Sequence, residues 1–255
     1  PHLPSFPTRR SSDLDGDKVL YERAFGDRQV EPERIPMTVD TVFDMASLTK
    51  PIATATSVMS LVQQGKVDLD QPVSSYLPEF SGNGKEEITA RELLLHVGGL
   101  IPDNALKDYE NGPVEAWERI CSLKMIAPRG EKFAYTDVGF IVLGKLVERI
   151  SGVPLNEFAA DQIFRPLGML ETGYLPDLEL QKRAAPTEQR DGEWMRGEVH
   201  DPRAYRLDGV AGHAGLFSTA SDLVRYGQMM LAAGKAEGSV LNEETFHEMT
   251  KPHQV

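Results

Sequence analysis

Apolar residues in this chain fall mostly at helical spacing. Between Pro51 and Gly65, Ile52, Ala55, Val58, Met59 and Val62 follow the i, i+3, i+4, i+7 pattern of an amphipathic helix. Pro51 has no N–H and is tolerated only in a first turn, which places the start of that helix near Ser47. Thr89-x-x-Glu92 is a capping box ahead of Leu93, Leu94 and Leu95, and Gly98-Gly99 marks the stop. A further helix is predicted around Trp117 and Ile120. Another begins at Thr136 or Asp137 and turns Ile141, Val142, Leu146, Val147 and Ile150 inward before Gly152. Leu155 to Phe164 reads as a short helix. Ser218 is the expected cap of a last one, through Leu223, Tyr226 and Met230 to Gly234. From about Leu175 to Asp208 charges break every period, and a long surface loop is expected.

Period-two patterning is scarce. Lys18–Phe25 is the one convincing strand, with short candidates at Thr41–Phe43 and Gly215–Phe217. Asp15-Gly16 signals a hairpin before the convincing strand. The residues ahead of it carry prolines and Arg9-Arg10 without a strand period, so they are not expected to supply a first arm. Ser5 to Leu14 resembles the translation of a short sequencing adapter, and residues 1–14 are set aside as a non-native leader. Polar and acidic residues follow Arg9-Arg10 where a twin-arginine export signal needs an apolar stretch. One strand does not make a stable sheet. The pattern therefore predicts either a nearly all-helical scaffold or an α/β protein whose other strands lie outside residues 15–255.

Composition narrows the function classes. A chain of 255 residues, 40% hydrophobic and 26% charged, is globular and has room for one large domain or two small ones. Its net charge is −12, from 39 acidic and 27 basic residues, with no Lys/Arg block; nucleic acid and anionic membrane surfaces are poor partners for it. No apolar run approaches the ~18 residues of a membrane helix. The single Cys121 cannot form an internal disulfide and reads as a buried structural thiol in a helical stretch. No pair among the six histidines has zinc-protease spacing, so no metal site is expected. Gly82-Asn83-Gly84-Lys85 is a turn, without the length of a phosphate loop.

Ser47-Leu48-Thr49-Lys50 sets a hydroxyl and an amine three residues apart on one face of a helix start. A serine there has its own N–H and the positive end of the helix dipole for a developing oxyanion. The lysine serves as base if burial lowers its proton affinity. A Ser-x-x-K alone is expected about once by chance in such a chain. Tyr135, before a helix start, is either a core residue with a wet hydroxyl or a phenol exchanging protons with the Ser–Lys pair. His96 ends the Leu93–Leu95 helix, where bonding to the last carbonyls is the simple reading. His213 sits in a glycine-rich turn.

In order and spacing these pieces resemble the serine β-lactamase-related family: class C β-lactamases, D-Ala-D-Ala carboxypeptidases and esterases of the same fold. The resemblance runs from about residue 15 to the end. It rests on Thr41-Val42-Phe43-Asp44-Met45-Ala46-Ser47-Leu48-Thr49-Lys50, on Leu69-Asp70-Gln71-Pro72-Val73, and on Leu93-Leu94-Leu95-His96-Val97-Gly98-Gly99-Leu100. Tyr135-Thr136-Asp137, Pro166-Leu167-Gly168-Met169 and Gly215-Leu216-Phe217-Ser218-Thr219 complete it.

The resemblance implies an α/β (α+β) sandwich of β-lactamase/transpeptidase type with an inserted helical domain. Residues 15–70 and 209–255 would form the α/β domain, its sheet incomplete at both ends, and residues 71–208 the insertion. Ser47 would be the acylated nucleophile, Lys50 its activating partner and Tyr135 the acid/base that passes the proton to the leaving group. No cofactor or metal is implied. Asp137 would contact substrate where the family has Asn. A carboxylate cannot donate to a substrate carbonyl, and if ionised beside Lys50 it would hold the lysine protonated, which favours Tyr135 as the working base. The family's third motif, Lys-Thr-Gly or His-x-Gly on a sheet-edge strand, should come much later than the tyrosine. His213-Ala214-Gly215 arrives too early and directly before a helix, so it reads as the preceding glycine turn, with the third motif expected beyond Val255. Lacking that half of the oxyanion hole and neighbouring strands, the chain is expected to be neither a competent enzyme nor a stable domain, and slowed ~10²–10³-fold even where it folds. The implied activity is a metal-independent serine hydrolase acting on a small-molecule ester, β-lactam or D-amino peptide. An inactive homologue serving as a binding module is the alternative. Members are often periplasmic or secreted; the sequence does not decide the compartment.

Overall fold

No proline falls between Arg9 and Asp15, so every amide there can join a ladder. In the computed structural model, which describes residues 9–15 (backbone), 18–235 and 239–253, strand β1 (Arg9–Asp15) pairs antiparallel with β2 (Lys18–Phe25). The expectation that the leader supplies no first arm is thereby corrected. Main-chain pairing needs free N–H and C=O groups, not a side-chain period. A second small ladder joins β3 (Asp27–Gln29) to β4 (Ile35–Pro36). The sheet that matters for the site is built from β5 (Val42–Asp44), β6 (Gly173–Tyr174) and a later strand, Leu216–Thr219. That later strand lies in the middle, antiparallel to both neighbours, and all four of its residues are buried. The short candidates near residues 41–43 and 215–217 are thus direct neighbours, which excludes the all-helical alternative.

Residues 175–208 are not one irregular loop. Gln189–Arg190 (β7) and Glu193–Trp194 (β8) form a hairpin across Asp191 and Gly192, both at positive φ as a tight hairpin turn requires; Leu216–Thr219 is then β9. Two short helices flank this hairpin, each started by an aspartate side chain that accepts backbone N–H groups: Asp177 and Asp201. At six and five residues they are too short to display an apolar period.

The helical layer follows the apolar spacing closely. A 3₁₀ turn (Ala46–Leu48) and a π-type segment (Lys50–Ala55) lead into α1 (Thr56–Gln63). Helix α2 (Ala90–Leu94) carries the reciprocal capping box of Thr89 and Glu92. After α3 (Pro113–Ser122), α4 (Asp137–Ser151) is capped by Thr136 and closed by left-handed Gly152. Helix α5 (Leu155–Ala159) continues into a π-type turn ending at Phe164. Helices α6 (Leu178–Arg183) and α7 (Pro202–Arg206) are the two noted above. Helix α8 (Ala220–Ala232) is capped by Thr219, because Ser218 is the penultimate residue of β9; α9 (Glu243–Thr250) was not anticipated. One apolar cluster joins Val42 through Leu241, with α1, α2 and α5 packed on α4. Cys121 is only half-buried, and burial still pushes its thiol up to about 12. Among the described residues no helix is long and apolar enough to cross a membrane.

The glycine-rich segment 209–215 is wedged against this layer. A Cβ on Gly212 would lie 1.9 Å from the Phe140 carbonyl oxygen of α4, and Gly212's own carbonyl accepts the Thr54 hydroxyl at 2.7 Å. Main chain meets main chain there, and neither side can yield cheaply. Gly212→Ala should therefore lower stability by about 1–3 kcal/mol or more, read from the midpoint of urea unfolding. An unchanged midpoint would mean that the segment does not pack on α4.

Candidate active site

Strand β5 ends at Asp44, and the chain turns sharply before the helix. Ala46 stands at φ 46°, a left-handed backbone unusual for a residue with a Cβ. Its N–H donates to Asp44 Oδ1 at 2.8 Å, and Met45 N–H donates to the Leu216 carbonyl of β9 at 2.8 Å. The turn presents Ser47 at the surface, while Lys50, one turn on, is 3% exposed.

The buried ammonium of Lys50 has three oxygen partners. It donates to Ser47 Oγ at 3.1 Å and to the His213 carbonyl at 3.2 Å, and pairs with Asp137 Oδ1 at 2.6 Å. Asp137 opens α4, where its own N–H is fixed by the Pro102 carbonyl. Two hydrogen bonds and one close ion pair thus surround the nitrogen.

Tyr135 is half-exposed, and its ring centre lies 4.7 Å from Lys50 Nζ. On its other side it meets the His96 ring, centroid to centroid 4.6 Å. His96 does not turn its ring back on its helix's carbonyls. Nδ1 accepts the Thr136 N–H at 3.1 Å instead, fixing the backbone between Tyr135 and Asp137. Burial first, and then the positive charge of Lys50, press His96 down to about 4, so its ring is neutral where the Thr136 bond needs a lone pair.

Four further groups enclose the site. His213, 1% exposed, donates Nε2–H to Asp201 Oδ1 at 2.9 Å, while its Nδ1 is buried without a partner. Burial would raise the Asp201 carboxyl, but the His213 hydrogen bond and charge, with the N–H groups of Ala204 and Arg203, hold it well below the usual carboxylate range. Asp103 is pushed up by burial against the opposing pull of Arg203, 3.6 Å away. Asp137, Asp201 and His213 offer ligand atoms within 4.8 Å of one another, yet Lys50 already occupies the Asp137 side and His213 the Asp201 side.

Ser47, Lys50, Tyr135 and Asp137 therefore converge from two chain segments, with the His213 carbonyl supplied by a third. The sequence reading missed Asp103, Asp201 and the place of His213. Asp201-Pro202 was a visible helix-start signal, but nothing local shows that its carboxylate reaches His213.

The neutral His96 gives a pH signature. Unfolded imidazole takes its proton near the ordinary 6.5, the folded one only near 4. The unfolded state binds more protons between these values, so the contribution is complete above about pH 6.5 and is lost as pH falls towards 4. Thermal midpoints over that window should fall more steeply for wild type than for His96→Asn, which keeps an acceptor for the Thr136 N–H. Parallel curves would refute the neutral ring.

The family model described as Beta-lactamase matches residues 12–255. An N-acetylmuramyl-L-alanine amidase of Bacillus subtilis (strain 168) is 33% identical over 265 residues, covering 91% of this chain and 59% of the relative. A protein of Escherichia coli (strain K12), provisionally named a D-alanyl-D-alanine carboxypeptidase, is 31% identical over 268 residues, covering 91% and 62%. The chain thus spans about three fifths of the length of these relatives. The octameric penicillin-binding protein homologue from Pyrococcus abyssi superposes with a TM-score of 0.75 at 28% identity, over 94% of this chain and 55% of that one. With its mixed helix-and-strand fold of β-lactamase/transpeptidase type, the chain belongs to the Beta-lactamase family.

Proposed function

We propose that this protein is a serine acyl hydrolase that opens ester or amide bonds through an acyl-enzyme on Ser47. The observation that carries the reading is an exposed serine hydroxyl 3.1 Å from a buried lysine ammonium at the start of a helix. Ser47 Oγ attacks the carbonyl, and its own N–H, at the positive end of the helix, faces the oxyanion. Lys50, donating to Ser47 and His213 and ion-paired with Asp137, supplies positive charge rather than a free lone pair. Tyr135 then moves the proton from Ser47 to the leaving group, with that charge beside its ring to offset the developing anion. Water ends the cycle by cleaving the acyl-enzyme.

The substrate class follows from Asp137. Where an amide side chain would donate to a substrate carbonyl, a carboxylate tied to Lys50 cannot. Small esters therefore come ahead of β-lactams and D-amino peptides. The names of the amidase and carboxypeptidase relatives keep amide substrates as the second choice.

Ser47→Ala should abolish covalent labelling by a fluorophosphonate and cut p-nitrophenyl ester turnover by about 10³-fold or more. Turnover that survives would put the nucleophile elsewhere. A wild-type protein that is never labelled would favour a binding module. Asp137→Asn removes the negative charge paired with Lys50. The alkaline limb of kcat/KM against pH, where Lys50 would lose the charge the reaction uses, should then move to lower pH, and β-lactam turnover should rise with the restored amide donor. An unmoved profile would show that Asp137 does not govern the charge on Lys50.

A further inference from the structure

Two adjacent residues, His200 and Asp201, reach opposite ends of the Ser47–Lys50 pair without touching either side chain. Asp44 is a buried carboxylate, its side chain 1% exposed, and it accepts from two directions. Oδ2 receives both the backbone N–H and the ring Nδ1–H of His200, each at 2.9 Å. An ionised carboxylate only accepts, so Nδ1 carries the proton. Oδ1 receives the N–H of Ala46 at 2.8 Å, in the left-handed turn that aims Ser47. Such a backbone is adopted freely only by glycine. Here a residue with a Cβ is held in it by the bond to Asp44.

The other arm runs through Asp201. Its Oδ1 accepts the Nε2–H of buried His213 at 2.9 Å and the N–H groups of Arg203 and Ala204 at 3.0 and 2.7 Å. The His213 carbonyl in turn accepts from Lys50 Nζ. Helix α7, which begins at this aspartate, is moored separately by Arg203 donating to the Asn104 carbonyl at 2.8 Å. On the opposite side, β5 and β9 already join the serine turn to the segment after His213, through Met45 N–H on the Leu216 carbonyl and Leu216 N–H on Thr49 Oγ1.

We propose that the His200-Asp201 dipeptide is a two-armed positioning clamp: His200 fixes the serine turn through Asp44, and Asp201 fixes the carbonyl that holds Lys50 through His213. This rests on the reading of Ser47 as the nucleophile. Both residues act through main-chain atoms of others, so they are positioning residues, and their loss should slow acylation without weakening substrate binding.

The experiment measures fluorophosphonate labelling of Ser47 and steady-state p-nitrophenyl ester hydrolysis, with thermal midpoints recorded alongside. His200→Ala should lower the labelling rate and kcat by about 10²-fold, the scale of a misplacement near 1 Å, while KM stays within about twofold. His200→Asn offers a side-chain N–H to Asp44 from a similar position and should recover most of the rate. Asp201→Ala removes the acceptor for all three donors and should lower kcat in the same way, whereas Asp201→Asn keeps an oxygen for them and should recover most of the rate. Should His200→Ala not fold, His200→Gln fills the space with its donor one bond further out and should show the same loss in kcat alone. A His200→Ala protein labelled at the wild-type rate, or an equal loss in His200→Ala and His200→Asn, would overturn the clamp while leaving the nucleophile intact. An Asp201→Ala protein labelled at the wild-type rate, or an equal loss in Asp201→Ala and Asp201→Asn, would overturn the second arm. Absence of labelling in wild type would remove the nucleophile and the clamp together.

Discussion

The buried ammonium of Lys50 is the constraint around which the site is arranged. A charge taken out of water needs hydrogen-bond acceptors on every side, or it is lost as a charge. Those acceptors come from the turn after β5, the first residue of α4 and the glycine segment before β9. These segments lie far apart in sequence, so satisfying one nitrogen brings serine, carboxylate and glycine segment to one place. The apolar cluster supplies the driving force for collapse, while the lysine selects which polar groups meet.

Lys85 shows the same chemistry without the reactive partner. It is wholly buried and donates to the carbonyls of Gly82, Cys121 and Leu123 at 3.0, 2.9 and 2.7 Å. Burial presses its proton affinity down, against the weaker opposing pull of Cys121 and Glu86. Around Lys50 one acceptor is a carboxylate and another is an exposed hydroxyl. That difference separates a lysine that joins a turn to a helix from one placed to support a reaction.

Much of the helical layer was legible because it rests on local rules. Pro51 dates the start of its helix, Thr89 and Glu92 cap α2, and Thr136 and Gly152 bound α4. Of the strands of two to four residues only β5 and β9 showed as short candidates, and nothing local revealed that they pair or that β6 completes the sheet. Asp191-Gly192 was as clear a hairpin signal as Asp15-Gly16, but its arms are two residues each and lie among charges. Ser47, Lys50, Tyr135 and Asp137 could be named from residue type and spacing with the family resemblance. His96, Asp103, Asp201 and His213 act through contacts with distant segments, and no local window contains both members of such a pair.

Cys121 has a practical side. Half-buried and with its thiol pushed up by burial, Cys121 presents little of the reactive thiolate at neutral pH. The chain has no other cysteine. A second cysteine introduced at an exposed position would therefore react with maleimide or iodoacetamide far faster than the resident one. Fluorophores or spin labels can be installed at single chosen sites on the natural background, with Cys121 left in place.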